Sequence, residues 1–285
     1  MQVWKTLIPP HALADQIANP DWLIVDTRFD LTAPAAGPAA YAAAHFPGAH
    51  YAHLDEDLAG PIRPDTGRHP LPDPAVLAAK LGAWGLGDAV QLVAYDDSGG
   101  ALAARLWWLA RWLGHDAAAV LDGGLAAWRA LGLPLDAERP VSRPRRFLPR
   151  VRPELAIGVG DVVAGLAQRE ILLLDARSAV RFRGESEPID VRAGHVPGAV
   201  NHPFQQNLGA DGRFLAPQEL AARYAALLAG LSPGNVVERM VAPASPHAIT
   251  CSRSSMPACA ARGSTSGRGV SGSANQNRPI ASGPD

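Results

Sequence analysis

The sequence has little cysteine, no long apolar run and almost no net charge. Among its 285 residues only Cys251 and Cys259 are cysteines, which excludes a disulfide framework and favours a reducing compartment. No apolar stretch approaches the ~18 residues of a membrane span, and the first residues lack the pattern of a signal peptide. The formal net charge of −1 provides no global field to attract nucleic acid or a membrane surface. These absences predict a cytoplasmic protein without either kind of partner.

Short apolar stretches alternate with segments of helical periodicity. Residues 22–28, 89–97 and 117–124 have the composition of buried strands that end in polar residues or glycine. The segments between them show helical spacing, which predicts a mostly parallel sheet with helices on both faces. Trp107 and Trp108 lie beside leucines at helical spacing, which favours a place in the core over a stacking platform.

Two motifs of the first half recur in the second half. Asp26 in "IVDTRFD" is matched by Asp175 in "LLDARSAVRF", 149 residues later, and His45 in "HFPGAHY" is matched by His195 in "HVPGAVN", 150 residues later. A near-constant offset over two separate motifs predicts a duplicated domain. We expect both histidines to fix turns rather than to carry protons.

Composition divides the chain into four predicted regions. The first domain covers residues 1–140, and a linker rich in proline and arginine covers 141–153. A second, incomplete domain covers 154–240, and a tail of different composition covers 241–285. The linker arginines are expected to be solvated, with binding to an acidic partner as the alternative.

A strand ending in Asp-x-Arg and followed by His-x-Pro-Gly-Ala, present twice at this spacing, resembles the tandem-domain rhodaneses. These are the thiosulfate and 3-mercaptopyruvate sulfurtransferases. The stretches "TGRHPLPDP" and "LDGGLAAW" are also similar to this family, and the resemblance covers roughly residues 8–240. Phosphatases that share the fold have a Cys-(five residues)-Arg loop, which this sequence lacks.

The resemblance implies a fold and a chemistry. The expected fold class is α/β, with two rhodanese-like domains that each have a mostly parallel sheet covered by helices, the second of them truncated. The expected enzyme moves sulfane sulfur from a small anionic donor, thiosulfate or 3-mercaptopyruvate, to a thiol or cyanide. It does so through a cysteine persulfide and needs no cofactor or metal.

The family places its cysteine on a loop between a strand and a helix, where backbone N–H groups face the sulfur. By resemblance Asp96 occupies this position in the first domain, which is therefore predicted to be non-catalytic. Capping of the helix that begins near Ala101 is favoured for Asp96 over a role as ligand or base. The repeat offset places the second loop near residues 241–246, where Val241 occupies the expected cysteine position and no cysteine is present.

The residues after Met240 indicate a shifted reading frame. If one T was lost after that codon, the GTN codon of Val241 was originally TGT, cysteine, and the following codons permit Gly-Ser-Gly-Val-Thr. Residues 241–285 contain no Leu, Phe, Tyr or Trp, which predicts a disordered tail. Cys251 and Cys259 have no companion ligands at zinc-finger spacing, so no metal site is predicted.

The chain as written is therefore predicted to be inactive. Two alternatives stay open beside a sulfurtransferase that has lost its nucleophile. The chain could be a non-catalytic anion-binding module, or an unstable truncated product.

Arg181 matches the family's arginine that binds the anionic end of the donor. A guanidinium fork suits two oxygens of a carboxylate or sulfonate-like group. The alternative is a surface arginine paired with Glu185 or Glu187.

Four further residues match family positions. Asp175 and Arg177 are expected to organise the active-site loop through a charge-assisted pair. Asp55 and His69 of the first domain resemble residues that face the cleft in mercaptopyruvate enzymes.

Overall fold

The computed structural model describes residues 2–64, 66–190 and 192–228, and the short stretches 236–239, 248–249, 269–271 and 281–282. The chain forms two compact units. The first unit consists of Met1–Gly60, Pro72–Arg152 and Gly209–Phe214, and the second of Pro61–Leu71, Pro153–Leu208 and Leu215–Asp285. Each unit therefore includes one short segment from the sequence repeat of the other.

The first unit contains a five-stranded, wholly parallel sheet with strand order β1-β5-β4-β2-β3. Helices connect the strands. In chain order the elements are β1 Leu7–Ile8, α1 Pro10–Ala14, β2 Trp22–Asp26, α2 Ala36–Ala43, β3 His50–Tyr51, α3 Pro74–Trp84, β4 Gln91–Tyr95, α4 Ala103–Trp112, β5 Ala118–Leu121 and α5 Gly124–Ala130.

The central strands of this sheet are buried along their whole length. Every residue of β2, β4 and β5 is buried, as expected of parallel strands covered on both faces. The predicted strands at 22–28, 89–97 and 117–124 correspond to these three elements, and the predicted α/β fold class is confirmed.

Aromatic side chains fill the core of the first unit. The Phe46 ring stacks on Tyr95, with centroids 3.7 Å apart, and on Trp128, with centroids 4.2 Å apart. Trp107 and Trp108 are 3% and 1% exposed, which confirms their predicted place in the core.

The predicted linker packs against the first unit as far as Arg152. It forms no helix or strand over 141–152. Backbone N–H groups of Arg145, Arg150 and Arg152 donate to carbonyls at the ends of α3 and α4, each at 2.8 Å. These hydrogen bonds hold the segment against the helix ends.

The second unit repeats the alternation of strands and helices of the first unit from β6 to β9. Two short 3-10 turns, at Pro153–Leu155 and Phe204–Asn207, accompany its helices and strands. The elements are β6 Ala156–Gly158, α6 Val159–Ala167, β7 Leu172–Asp175, α7 Ala179–Phe182, β8 Ala199–Asn201, α8 Pro217–Leu228, β9 Val236–Arg239, β10 Ala248–Ile249 and β11 Gly269–Ser271.

The strands of the second unit form two three-stranded sheets. One has the order β8-β7-β9 with parallel pairs, and the other has the order β10-β11-β6, in which β11 runs parallel to β6 and antiparallel to β10. β11 pairs with β6 as β5 pairs with β1 in the first unit. The predicted disordered tail, 241–285, falls mostly outside the described residues; its described parts are β10, β11 and residues 281–282.

Among the residues that the structure describes, no helix has the length and apolar character needed to cross a bilayer.

We expect the stability of the first unit to be sensitive to a single added methyl group at the start of α5. Gly124 has φ +51°, and a Cβ there would lie 2.3 Å from the backbone oxygen of Asp96. Gly132 has φ +64°, but a Cβ there would meet nothing within 4 Å. We expect Gly132→Ala to lower the free energy of unfolding by about 1 kcal/mol through backbone strain alone. Gly124→Ala should cost about 1–3 kcal/mol more because of the clash.

Urea denaturation followed by tryptophan fluorescence measures this difference. All seven tryptophans lie between residues 4 and 128, so the signal reports on the first unit. An equal loss of unfolding free energy in Gly124→Ala and Gly132→Ala would contradict the prediction that a clash adds to the cost at Gly124.

Candidate functional site

Both Asp-x-Arg motifs fold into the same buried ion pair at the end of a strand. In the first unit Arg28 donates from Nε and Nη2 to the Asp26 carboxylate, with Nη2 2.6 Å from Oδ2. In the second unit Arg177 donates to Asp175 in the same way, with Nη2 2.8 Å from Oδ2. The repeated sequence therefore builds a repeated structure.

Each of these arginines also binds the backbone just before the His-x-Pro-Gly turn. Arg28 Nη2 donates to the carbonyl of Ala44, and Arg177 Nη2 donates to the carbonyl of Gly194, both at 2.7 Å. Burial opposes the charge of Arg177, but its hydrogen bond to Asp175 keeps its pKa above the usual value. The ion pair thus joins a strand end to the next turn.

The two motif histidines lie buried in these turns. His45 Nδ1 is 2.8 Å from the carbonyl of Tyr41, and His195 Nδ1 is 2.7 Å from the carbonyl of Phe182. Each ring stacks on an aromatic ring, Tyr41 in the first unit and Phe182 in the second. These contacts are consistent with the expected role of both histidines in fixing the turns.

Asp96 lies at the centre of the loop between β4 and α4. Its carboxylate accepts hydrogen bonds from four backbone N–H groups, at 2.8–2.9 Å. The donors are those of Ser98, Gly100, Leu102 and Ala103. Asp96 therefore caps the start of α4, and the loop is a ring of donors around one anionic group.

Burial raises the pKa of Asp96, and the four backbone N–H donors oppose that rise. The side chain is fully buried. Because all four groups are N–H donors, these hydrogen bonds stabilise the ionised form of the carboxylate. The loop geometry is thus suited to holding a negative charge away from solvent.

Arg181 is buried near the end of α7 and lies in a network of carboxylates. Its Nη2 donates to Glu187 Oε1 at 2.6 Å and to Asp190 Oδ2 at 2.9 Å. Of the two alternatives from the sequence, Glu187 is the partner, while Glu185 pairs with the exposed Arg183. Arg181 is 8% exposed and is not a surface residue.

Glu187 joins Arg181 to the strand-end pair. Its Oε2 lies 3.3 Å from Arg177 Nη1, and its Oε1 accepts the backbone N–H groups of Ile189 and Asp190. Burial disfavours its ionised form, yet the hydrogen bond from Arg181 and those from the backbone lower the pKa of Glu187. It is therefore an ionised, buried link.

Sequence reasoning missed Asp190 and Arg68 in this network. Arg68 Nη2 pairs with Asp190 Oδ1 and donates to the carbonyl of Ile189 at 3.2 Å. Arg68 lies in the Pro61–Leu71 segment of the second unit. The only sequence signal was the stretch "TGRHPLPDP", which carried the family resemblance without indicating a partner.

Two predicted residues, Asp55 and His69, come from the first repeat of the sequence. Asp55 is exposed at the edge of a cavity of about 640 Å³ in the first unit, which Tyr51, Asp57 and Lys80 also line. His69 is buried in the second unit. The roles of Asp55 and His69 stay predictions.

The expected cysteine position, Val241, lies outside the described residues, as do Cys251 and Cys259. Within the part of the chain that is described, no three or more His, Cys, Asp or Glu side chains form a group that could hold a metal ion.

The sequence and the architecture of this chain are similar to those of known proteins. The profile of the Rhodanese-like domain matches residues 9–131. A Pseudomonas aeruginosa protein described as a probable 3-mercaptopyruvate sulfurtransferase is 51% identical over 226 residues, which are 79% of this chain and 80% of that protein. The thiosulfate sulfurtransferase of Bos taurus is 28% identical over 235 residues, 79% of this chain and 77% of the relative.

A solved structure shows the same likeness. The crystal structure of SseA from Escherichia coli, described with the 3-mercaptopyruvate sulfotransferases and the rhodanese fold, matches with a TM-score of 0.70 at 27% identity. The match covers 90% of this chain and 92% of SseA. The 51% identity with the Pseudomonas protein over most of both chains shows the family. This chain belongs to the rhodanese family of sulfurtransferases.

Proposed function

We propose that the protein encoded by the reading frame of residues 1–240 moves sulfane sulfur from thiosulfate or 3-mercaptopyruvate to a thiol or cyanide. The names of its relatives support both donors. A cysteine at the position of Val241 would carry the sulfur as a persulfide.

The Asp96 loop is the observation that carries this proposal. In the first repeat this loop surrounds one negative charge with four backbone N–H groups. A cysteine in the corresponding loop of the second repeat would have its thiolate stabilised by the same kind of donor ring and its pKa lowered. The Asp96 carboxylate thus occupies, in the first repeat, the place that a cysteine thiolate and then its persulfide would occupy in the second.

The proposed reaction has two steps. The cysteine thiolate attacks the outer sulfur of thiosulfate, the S–S bond breaks, and sulfite leaves with the electron pair while a persulfide forms. With 3-mercaptopyruvate the C–S bond breaks instead, and the carbon takes a proton to give pyruvate. The acceptor then attacks the terminal sulfur of the persulfide, and the thiolate is restored.

Three residues of the second unit are assigned to this chemistry. Arg181 would bind the anionic end of the donor, because its guanidinium offers a fork to two oxygens. Asp175 and Arg177 would hold the strand end and the turn on which that arginine depends. Asp55 and His69 are proposed as contributors from the first repeat's sequence.

The chain as written is proposed to be inactive. Val241 stands at the cysteine position, and the two cysteines present, Cys251 and Cys259, lie further along the chain. Loss of one T after the codon of Met240 accounts for both the missing cysteine and the altered composition that follows. The restored loop Cys-Gly-Ser-Gly-Val-Thr has no charged residue. A charged residue suits dianionic thiosulfate better, so we favour 3-mercaptopyruvate as donor.

Two alternatives to an inactive enzyme remain for the chain as written, a non-catalytic anion-binding module and an unstable product. The buried network around Arg181 favours a non-catalytic anion-binding module, since it exists without the cysteine. The second alternative is an unstable product. The free energy of unfolding of a domain is small, and the destabilisation caused by the altered sequence after Met240 could exceed it.

An activity assay tests the proposal directly. We expect the chain as written to form thiocyanate from cyanide with either donor no faster than its Cys251→Ser/Cys259→Ser variant. Restoring one T after codon 240 should give activity with both donors, with the higher kcat/KM for 3-mercaptopyruvate. Activity of the written chain above the cysteine-free variant, or an inactive frame-restored protein, would contradict the proposal. Sequencing independent clones across codon 240 checks the lost base.

Limited proteolysis separates the unstable product from the stable module. If the altered sequence destabilises the second unit, a protease should leave a resistant fragment near residues 1–140, identified by mass. The frame-restored protein, treated in parallel, should resist cleavage throughout. Equal resistance of residues 150–285 in the written chain would rule out the unstable product.

A further inference from the structure

A continuous row of charged side chains crosses the second unit. It alternates arginines and carboxylates in the order Arg68, Asp190, Arg181, Glu187, Arg177 and Asp175. Except for Arg68, which is 24% exposed, every one of these side chains is at least nine-tenths buried. Three positive charges balance three negative ones, so the row is neutral when all six groups are ionised.

Asp190 joins two arginines in this row. Its Oδ2 accepts from Arg181 Nη2 at 2.9 Å, and its Oδ1 pairs with Arg68 Nη2. Its side chain is 3% exposed. Arg68 also holds the backbone of the same loop through the carbonyl of Ile189. The position of this carboxylate therefore depends on a residue 122 positions earlier in the chain.

Glu187 is held differently. It accepts two backbone N–H groups of its own loop, from Ile189 and Asp190, and pairs with Arg177 at the strand end. Its place is thus built into the Asp-x-Arg framework, whereas Asp190 is shared with Arg68.

We propose that Asp190 is an internal competitor for the anionic donor at Arg181, and that Arg68 is a positioning residue that weakens this competition. The inference rests on the proposed role of Arg181 in binding the donor. An anion that reaches the Arg181 guanidinium meets a carboxylate already bound to the same Nη2. At short range and away from water, that like charge opposes binding strongly.

Arg68 acts on this competition through Asp190. It takes one oxygen of the carboxylate, so that the negative charge of Asp190 is divided between two guanidinium groups. Without Arg68 a larger share of this charge would fall on Arg181, and an incoming anion would have to displace a more strongly held competitor. The two residues should therefore affect anion affinity in opposite directions.

Calorimetric titration of the full chain with thiosulfate, at constant ionic strength, tests the proposal; pyruvate serves as a second, carboxylate probe. We expect Asp190→Asn to bind thiosulfate about tenfold more tightly, the equivalent of roughly 1.4 kcal/mol. Arg68→Gln should bind it roughly threefold more weakly. In the Asp190→Asn background, Arg68→Gln should have no further effect, because a positioning residue acts only through the group it positions.

Glu185→Gln is the matched control. It makes the same change from acid to amide in the same loop, but Glu185 is exposed and pairs with Arg183 outside the row. It should keep the affinity of the unchanged protein, which separates competition at Arg181 from a general loss of negative charge.

The outcomes distinguish this inference from the proposed function. If Arg181→Gln binds thiosulfate as well as the unchanged protein does, the role of Arg181 itself fails. If Arg181→Gln loses binding while Asp190→Asn binds no more tightly than the unchanged protein, the competition is refuted and the role of Arg181 stands. A further loss on adding Arg68→Gln to Asp190→Asn would show that Arg68 contacts the anion directly, which refutes its positioning role.

Two remaining outcomes are also decisive. No binding by either the unchanged protein or Asp190→Asn at millimolar thiosulfate would overturn the inference. If circular dichroism shows that Asp190→Asn does not fold, Arg68→Gln decides alone, since unchanged or tighter binding by that variant contradicts the proposal.

Discussion

A carboxylate at the end of a buried strand, neutralised by a guanidinium two residues later, is the interaction on which both units depend. The aspartate of each pair ends a parallel strand at the edge where loops meet, and an unpaired charge there would be costly to bury. The arginine supplies the counter-charge and also ties the carbonyl before the His-x-Pro-Gly turn. In the second unit Arg177 also pairs with Glu187, which pairs with Arg181, so this one ion pair links the strand, the turn and the arginine that we propose binds the donor.

The positions of the central strands and part of the core followed from local patterns in the sequence. Fully apolar runs such as residues 22–26 are buried on both faces wherever they lie in a parallel sheet, so composition was enough to find them. The helical spacing around Trp108 likewise predicted a buried face. The repeat offset matched the two Asp-x-Arg motifs in the sequence. An ion pair within each motif could be expected, because Asp and Arg two residues apart need only a turn to meet.

The charged row around Arg181 could not be predicted in the same way. Arg68 and Asp190 are 122 residues apart in sequence and meet only through the tertiary fold. The choice between Glu185 and Glu187 was equally open, since both lie within reach of Arg181 along the chain. Only the packing of α7 shows that one faces inward and the other pairs with Arg183 at the surface. Periodicity predicts which face is buried, but it does not predict which buried charges meet.

The exchange of short segments between the repeats makes each unit depend on residues encoded far from it. Gly209–Phe214 belongs to the first unit, where the Phe214 N–H donates to Asp122 at 2.9 Å, and Pro61–Leu71 brings Arg68 to the second unit. A fragment ending at Arg152 would therefore leave Asp122 without that donor, and a fragment beginning after it would leave Asp190 without Arg68. No single cut through the chain therefore leaves each unit with all of its own segments.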